Sequence, residues 1–135
     1  MRIVHVQAPS FPAVASEIPL VPEAGRLWQV LCGDAGHWRA GIYAPAATSP
    51  AGCPELERHT CPELFLLLEG RLTLLVHDGD TVRELPLAPG QPVLVVAPHS
   101  GFCPDGPHTG RAFVVERDLF STEYRAAGEW AEVRS

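Results

Sequence analysis

The residues best suited to chemistry lie in one short segment, in which Glu57, His59, Cys61 and Glu63 follow one another at every second position. Alternate side chains of a β-strand point to the same side, so the four would share a face, although Pro62 predicts a bend. Carboxylates and an imidazole that converge inside a barrel are what a metal site needs. The same charges in a loop before an apolar strand would also be typical of a solvated surface.

Short apolar runs separated by turns surround this segment and predict an all-β fold. The predicted strands lie at residues 38–44, 63–69, 72–76, 82–87, 93–97 and 112–116. Within the third of them Leu72, Leu74 and Val76 alternate, as in a half-buried strand. Asp78-Gly79 predicts a two-residue hairpin. The chain contains 14 Pro and 12 Gly, which favours many turns over a helical bundle.

Composition and charge exclude several classes of function. The 135 residues suit one domain, and 46% of them are hydrophobic, so the chain can bury a core. The net charge is −6 and no basic stripe exists, so we expect no nucleic-acid partner. No Lys occurs, which excludes Schiff-base chemistry. We find neither a membrane-spanning segment nor a signal peptide, and therefore expect a cytoplasmic protein with four free thiols and no membrane partner.

The segment around His59 resembles the first motif of the cupin superfamily, which reads His-x-His, three or four residues, Glu, six residues, Gly. His59 falls on the second His, Glu63 on the Glu and Gly70 on the Gly, while Glu57 replaces the first His. The resemblance covers roughly residues 38–116. It implies an all-β, single-domain fold, a double-stranded β-helix or jelly-roll (cupin) barrel.

The second cupin motif is less complete in this chain. Gly90 and Pro98 match in kind, and Cys103 takes the position of the last His. The resemblance implies a divalent metal (Fe, Zn, Mn or Ni), and a thiolate in the set favours Zn or thiolate-bound iron. Carried over by position, its ligands would be Glu57, His59, Glu63 and Cys103. His99 and His108 are substitutes near Cys103, and a decayed site without metal is the alternative.

The pocket wall and the two ends of the chain carry further expectations. Arg39 and Tyr43 lie four apart on a predicted strand, and if that face lines the barrel they would bind a carboxylate or sugar hydroxyls of a substrate. We predict an arm and first strands at 1–37, the barrel at 38–117 and a C-terminal segment at 118–135, with a helix from Ser121 to Ala127. The resemblance also implies a homodimer, in which the Pro-rich arm and the Trp130 segment either cross the interface or wrap their own barrel.

Two classes of function remain open at this point. The first is a metal-dependent enzyme of the dioxygenase, isomerase or lyase type, in which His59 and Glu63 are the catalytic pair and the metal polarises a small substrate or binds dioxygen. Without metal, either residue could act as an acid–base group. The second is a non-catalytic small-molecule binding or sensor domain with a decayed metal site. We slightly favour the enzyme.

Overall fold

The computed structural model describes residues 1–133 and contains eleven β-strands. They are β1 (Arg2–Val6), β2 (Trp28–Asp34), β3 (Trp38–Tyr43), β4 (Glu55–His59), β5 (Glu63–Glu69), β6 (Thr73–His77), β7 (Val82–Pro86), β8 (Val93–Val95), β9 (His99–Phe102), β10 (Arg111–Arg117) and β11 (Phe120–Ala126). Two short 3₁₀ helices, Pro50–Gly52 and Ala127–Val133, are the helical segments of this range. Neither has the length and apolar character that crossing a membrane requires.

The strands form two antiparallel sheets that face each other. One has six strands in the order β1-β11-β4-β9-β6-β7, and the other has five in the order β2-β3-β10-β5-β8. Neighbouring strands in each sheet are mostly distant in sequence, which is the connectivity of a jelly roll rather than of simple hairpins. The all-β jelly-roll barrel predicted from the sequence is therefore confirmed.

The space between the sheets is filled by side chains that alternate along the strands. In β5, Glu63, Phe65 and Leu67 are buried, while Leu64 and Leu68 point outward and are exposed. The same alternation in the other strands gives the main apolar core. Its buried members are Phe65, Leu67, Leu72, Leu74, Val76, Leu87, Val95, Cys103, Ala112 and Val114. Burial of this apolar surface is the main favourable contribution to folding, and it leaves Glu63 as a carboxylate inside an otherwise apolar strand face.

A second apolar cluster covers the outer face of the six-stranded sheet. Trp130 from the C-terminal 3₁₀ helix packs there on Leu56, Leu75, Phe102 and Cys53. All five residues of β6 are buried, so the expectation of a half-buried strand is wrong at this position. The reason is that the chain end returns to cover the face that alternation alone assigns to solvent.

The N-terminal arm is fastened to its own barrel near Asp118, which is fully buried. The backbone N–H and hydroxyl of Ser10 both donate to Asp118 Oδ1 at 2.6 Å, and the N–H of Gly36 donates to Oδ2 at 2.7 Å. Upstream, β1 pairs with β11 along its whole length. The first strand therefore forms one edge of the six-stranded sheet, beside β11.

Two local predictions are wrong. The helix predicted from Ser121 to Ala127 is instead β11, which pairs with β1 and β4. The turn at Asp78 closes β6 and β7 with four residues rather than two, because the Asp78 carboxylate accepts hydrogen bonds from the backbone N–H groups of Asp80 and Thr81. An aspartate that caps the turn in this way favours the longer loop.

Candidate metal centre

Four potential ligands from three strands meet inside the barrel. Glu57 and His59 occupy alternate positions of β4, Glu63 begins β5, and His99 begins β9 directly opposite Glu57. One ligand atom from each of the four lies within 4.8 Å of the others. Because β4 and β9 belong to one sheet and β5 to the other, the cluster forms only when both sheets are packed together.

The closest contacts of the cluster converge on Glu63. Its Oε1 lies 2.5 Å from His59 Nε2 and 2.9 Å from His99 Nε2, while Glu57 Oε1 lies 3.6 and 3.8 Å from the same two nitrogens. Glu63 Oε1 and His99 Nε2 are buried, and neither has a hydrogen-bond partner of acceptable direction within the described chain. Atoms this close without hydrogen-bond alignment point toward a shared space rather than at each other, as ligands of one cation do.

Hydrogen bonds behind the cluster orient both imidazoles. His99 Nδ1 donates to the carbonyl of Ala97 at 2.9 Å, and since a carbonyl only accepts, a neutral His99 carries its proton on Nδ1 and keeps a lone pair on Nε2. His59 Nδ1 lies 2.7 Å from Thr122 Oγ1. Both rings therefore present Nε2 to the cluster, the arrangement typical of metal-binding histidines.

The charges of the cluster perturb one another strongly. Burial lowers the pKa of His59, but the nearby carboxylates of Glu57 and Glu63 outweigh this and raise it from 6.5 to about 10. For His99, burial is likewise outweighed by Glu63, and the pKa is raised. Burial raises the pKa of Glu63, but the two histidines hold it well below its usual range. Without a metal, His59 is thus protonated at neutral pH and lies beside the two carboxylates.

A cavity of about 300 Å³ opens beside the cluster and has mainly apolar walls. Residues of both sheets line the cavity, together with Leu27, which directly precedes β2. Beyond the four cluster residues, the lining consists of Val4, Val6, Leu27, Trp28, Arg39, Tyr43, Phe65, Val114, Glu116, Phe120, Thr122 and Tyr124. Tyr124 lies opposite Glu57 in β11, and burial together with the charge of Glu57 and a hydrogen bond to it raises the Tyr124 pKa to about 12. The tyrosine therefore stays a hydrogen-bond donor at the edge of the cluster.

Arg39 and Tyr43 both line this cavity, so they do share the inward face of β3. Arg39 is not a free cation, however. Its Nε and Nη2 lie 2.7 and 2.6 Å from Glu116 Oε2, and its Nη1 donates to the carbonyl of Ser10 at 3.1 Å. The guanidinium also lies 4.9 Å from the centre of the Phe120 ring, so it is held on all sides by the protein.

Glu116 is the acidic partner of this buried ion pair and faces the same interior as the cluster. Burial raises the pKa of its carboxyl, the charge of Glu63 adds to the rise, and Arg39 opposes it, which gives a pKa of about 7. Sequence reasoning missed Glu116. The available signal was its place at the end of the predicted strand 112–116, two positions beyond the buried Val114.

Three of the four ligands proposed from the cupin resemblance come together, and the fourth does not. Cys103 is fully buried in the apolar core, where its Sγ accepts a hydrogen bond from the backbone N–H of Gly110 at 3.3 Å. The place expected for Cys103 is taken by His99. Four residues of strand span about 13 Å, so His99 and Cys103 cannot both reach the cluster. His108, the other substitute, lies outside the cluster, where its Nδ1 donates to the Ala44 carbonyl at 2.6 Å.

Comparison with known proteins supports the architecture. No family model and no curated protein matches the sequence. Among solved structures, Fe(II) HppE is 16% identical with a TM-score of 0.54, over 84% of this chain and 60% of that one. Hydroxypropylphosphonic acid epoxidase from S. wedmorenis in complex with fosfomycin is 19% identical with a TM-score of 0.51, over 84% and 58%. The chain has the cupin-type barrel fold.

A third cupin-type neighbour is Co(II) HppE in complex with substrate, which is 15% identical with a TM-score of 0.53 over 74% of this chain and 57% of that one. This chain spans about 60% of the length of such neighbours. At this level of identity the likeness concerns the fold. The two HppE structures contain Fe(II) and Co(II), metals that accept the imidazole and carboxylate donors found in the cluster here.

Proposed function

We propose that this protein is a metal-dependent enzyme that acts on a small molecule in the barrel cavity, with a divalent cation held by Glu57, His59, Glu63 and His99. The observation that carries the proposal is the convergence of Glu63 Oε1 and His99 Nε2, both buried and without an aligned hydrogen bond, on a space shared with His59 and Glu57. A donor set of two imidazoles and two carboxylates suits Fe, Mn, Co or Zn.

When bound, such a cation supplies Lewis-acid polarisation of a substrate oxygen. The protein itself orients the ligands of the cation and provides a group that accepts and donates protons. Ala97 and Thr122 fix the rings of His99 and His59 through their Nδ1 atoms, so both Nε2 atoms stay directed at the cluster. Glu57 is the most exposed member, and its carboxylate can take a proton from, or return it to, a molecule in the cavity. Tyr124, hydrogen-bonded to Glu57, holds that carboxylate in place.

Elemental analysis tests the proposal directly. The protein is purified without a tag from cells supplied with Fe, Mn, Ni and Zn, and wild type is compared with His99→Ala and Cys103→Ala. We expect stoichiometric metal in wild type and in Cys103→Ala, and its loss in His99→Ala with an unchanged circular dichroism spectrum. Metal retained by His99→Ala but lost from Cys103→Ala would overturn the ligand assignment in favour of the thiolate set.

Catalysis is tested separately from metal binding. Wild type and His99→Ala are incubated with a cellular metabolite extract, and the mixture is followed by NMR. A compound consumed by wild type alone supports the enzyme. A compound that binds wild type and is recovered unchanged supports the non-catalytic small-molecule binding domain instead and overturns the catalytic part of the proposal.

A further inference from the structure

The cavity offers a negatively charged ligand no free arginine or lysine side chain. Within residues 1–133, Arg39 is the one arginine that lines it, and the chain has no lysine. Two of the Arg39 nitrogens contact Glu116 Oε2, a third donates to the Ser10 carbonyl, and the side chain is about one-tenth exposed. An anion in the cavity would have to displace Glu116 before it could form a bidentate contact with this guanidinium.

The formal charges around the cavity already balance without a ligand. Glu116 is matched by Arg39 at 2.6 Å. If the proposed function holds, Glu57 and Glu63 together match one divalent cation. A carboxylate or phosphonate would therefore add uncompensated charge to a site of low polarity, which is costly unless a counter-charge accompanies it.

The walls that remain are apolar or aromatic. They are Val4, Val6, Leu27, Trp28, Tyr43, Phe65, Val114, Phe120 and Tyr124, and the one further lining residue, Thr122, has its hydroxyl 2.7 Å from His59 Nδ1. The volume is about 300 Å³, which at roughly 30 Å³ per water-sized group leaves room for about ten such groups. The volume and the apolar walls fit a ligand that is a small ring or a short chain with a single polar end.

We propose that the cavity binds an uncharged, largely apolar small molecule, an alcohol, aldehyde or ketone, with its oxygen toward the cluster and its hydrocarbon part against Trp28 and Phe120. This substrate class deepens the proposed function and rests on it for the balance of Glu57 and Glu63. It separates the chain from the S. wedmorenis neighbour, which is named for a phosphonic acid. The sequence led us to expect that Arg39 binds a substrate carboxylate. In this proposal Arg39 instead forms part of the cavity wall, as an ion pair with Glu116.

A matched series of three probes tests this inference: benzyl alcohol, benzoate and phenylphosphonate share one ring and differ in charge. Each is titrated into the purified, metal-analysed protein at pH 8.5, where Glu116 is ionised, and binding is followed by protein-observed NMR. We expect benzyl alcohol to bind at least about tenfold more tightly than phenylphosphonate, since an unmatched charge in a site of low polarity is costly. Equal or tighter binding of either anion, or no binding of benzyl alcohol, overturns the inference.

Glu116→Gln provides a second, independent test. The substitution keeps a hydrogen-bond acceptor for Arg39 and removes the compensating charge, so affinity for phenylphosphonate should rise at least about tenfold while that for benzyl alcohol changes little. Glu69→Gln is the matched control, because Glu69 pairs with Arg111 at 2.9 Å outside this cavity and should alter neither affinity. An unchanged phosphonate affinity in Glu116→Gln overturns the role given to the Arg39–Glu116 pair.

Metal content distinguishes failure of this inference from failure of the proposed function. Preference for benzyl alcohol in a protein without metal would leave the substrate class standing and overturn the metal-dependent enzyme. Stoichiometric metal together with preference for phenylphosphonate would overturn the substrate class and leave the metal centre standing.

Discussion

Thr122 Oγ1 lies 2.7 Å from His59 Nδ1, and the two residues are directly opposite each other in β11 and β4. The hydroxyl is the polar group behind the imidazole, on the side away from Glu63. Since such partners hold a ligating ring in its orientation, the bond links the last strand of the barrel to the candidate metal centre.

Thr122→Val should therefore weaken metal binding without removing a ligand. Valine keeps the shape of threonine but cannot hydrogen-bond to His59, and loss of an outer partner of this kind lowers metal affinity about 10- to 100-fold. Competition with a chromogenic chelator for Zn²⁺ measures the change. Thr122→Ser retains the hydroxyl and should stay within about threefold of wild type if the hydrogen bond is what matters; an equal loss in both variants would point to packing instead.

The stability of the metal-free protein should fall as the pH rises above neutral. The pKa of His59 is raised in the folded state, so its protonation stabilises the fold fully below about 6.5, and that contribution is lost progressively as the pH rises toward 10. For Glu63 the pKa is lowered, and its contribution is lost only as the pH falls below about 4.5. The His59–Glu63 contact therefore contributes most between these two values.

Urea unfolding in the presence of a chelator checks this pH dependence between pH 6.5 and 8.5. At about 1.4 kcal/mol per pKa unit, His59 accounts for a loss of at most about 3 kcal/mol over this range. His59→Gln should make the dependence clearly shallower. Saturating Zn²⁺ should reverse the trend, because the metal binds neutral imidazoles and competes with protons less at high pH; a wild-type stability that is flat with pH would contradict the assigned ionisation.

Sequence reasoning found the part of the candidate metal centre that follows from local periodicity. Glu57 and His59 share a face because they alternate on one strand, and Glu63 follows after the bend at Pro62. His99 could be named only as a substitute, because its place depends on pairing with Glu57 across β4 and β9, which are about forty residues apart in the chain. Counting along the cupin motif led instead to Cys103.

The same distinction explains which strands were predicted. The apolar runs of β5 and β10 have alternation or turn signals of their own, and they were assigned correctly. In β11 the side chains that face the cavity include the polar residues Thr122 and Tyr124, so the strand lacks a regular alternation of apolar and polar residues. Ser121 in addition resembles the N-cap residue of a helix. Pairing with β1 and β4 overrides that local preference, and such long-range pairing has no short-range signal.

The Glu116 carboxyl should titrate near neutral pH and respond to Glu63. Burial and the charge of Glu63 both raise its pKa, which is about 7, so Glu63→Gln should lower it. Carboxyl ¹³C shifts of the metal-free protein followed between pH 5 and 9 measure the change. Glu84→Gln removes an exposed carboxylate of β7 and should leave the Glu116 titration unaltered. A Glu116 pKa that does not respond to Glu63→Gln would mean that burial and Arg39 set it without Glu63.

Trp130 should be a large contributor to stability although it lies near the end of the described chain. Its side chain is 3% exposed and packs on the outer face of the six-stranded sheet, whereas Trp38 is 44% exposed. Trp130→Ala should cost about 3 kcal/mol in the free energy of unfolding, as expected for loss of a buried aromatic. Trp38→Ala should cost clearly less than Trp130→Ala, because 44% of the Trp38 surface is already exposed in the folded protein.

Two further measurements show which contacts of Trp130 stabilise the fold: the stability of Trp130→Phe, and the stability of Trp130→Ala at several protein concentrations. The indole Nε1 is buried without a hydrogen-bond partner in the described residues, so phenylalanine keeps most of the apolar contact and should cost less than about 1.5 kcal/mol. The Trp130 contacts lie within one chain, on Leu56 and Leu75, so the loss in Trp130→Ala should be the same at low and high protein concentration. If the loss instead grows with protein concentration, Trp130 packs across an interface between two copies rather than on its own barrel, because a dimer contact stabilises in proportion to association.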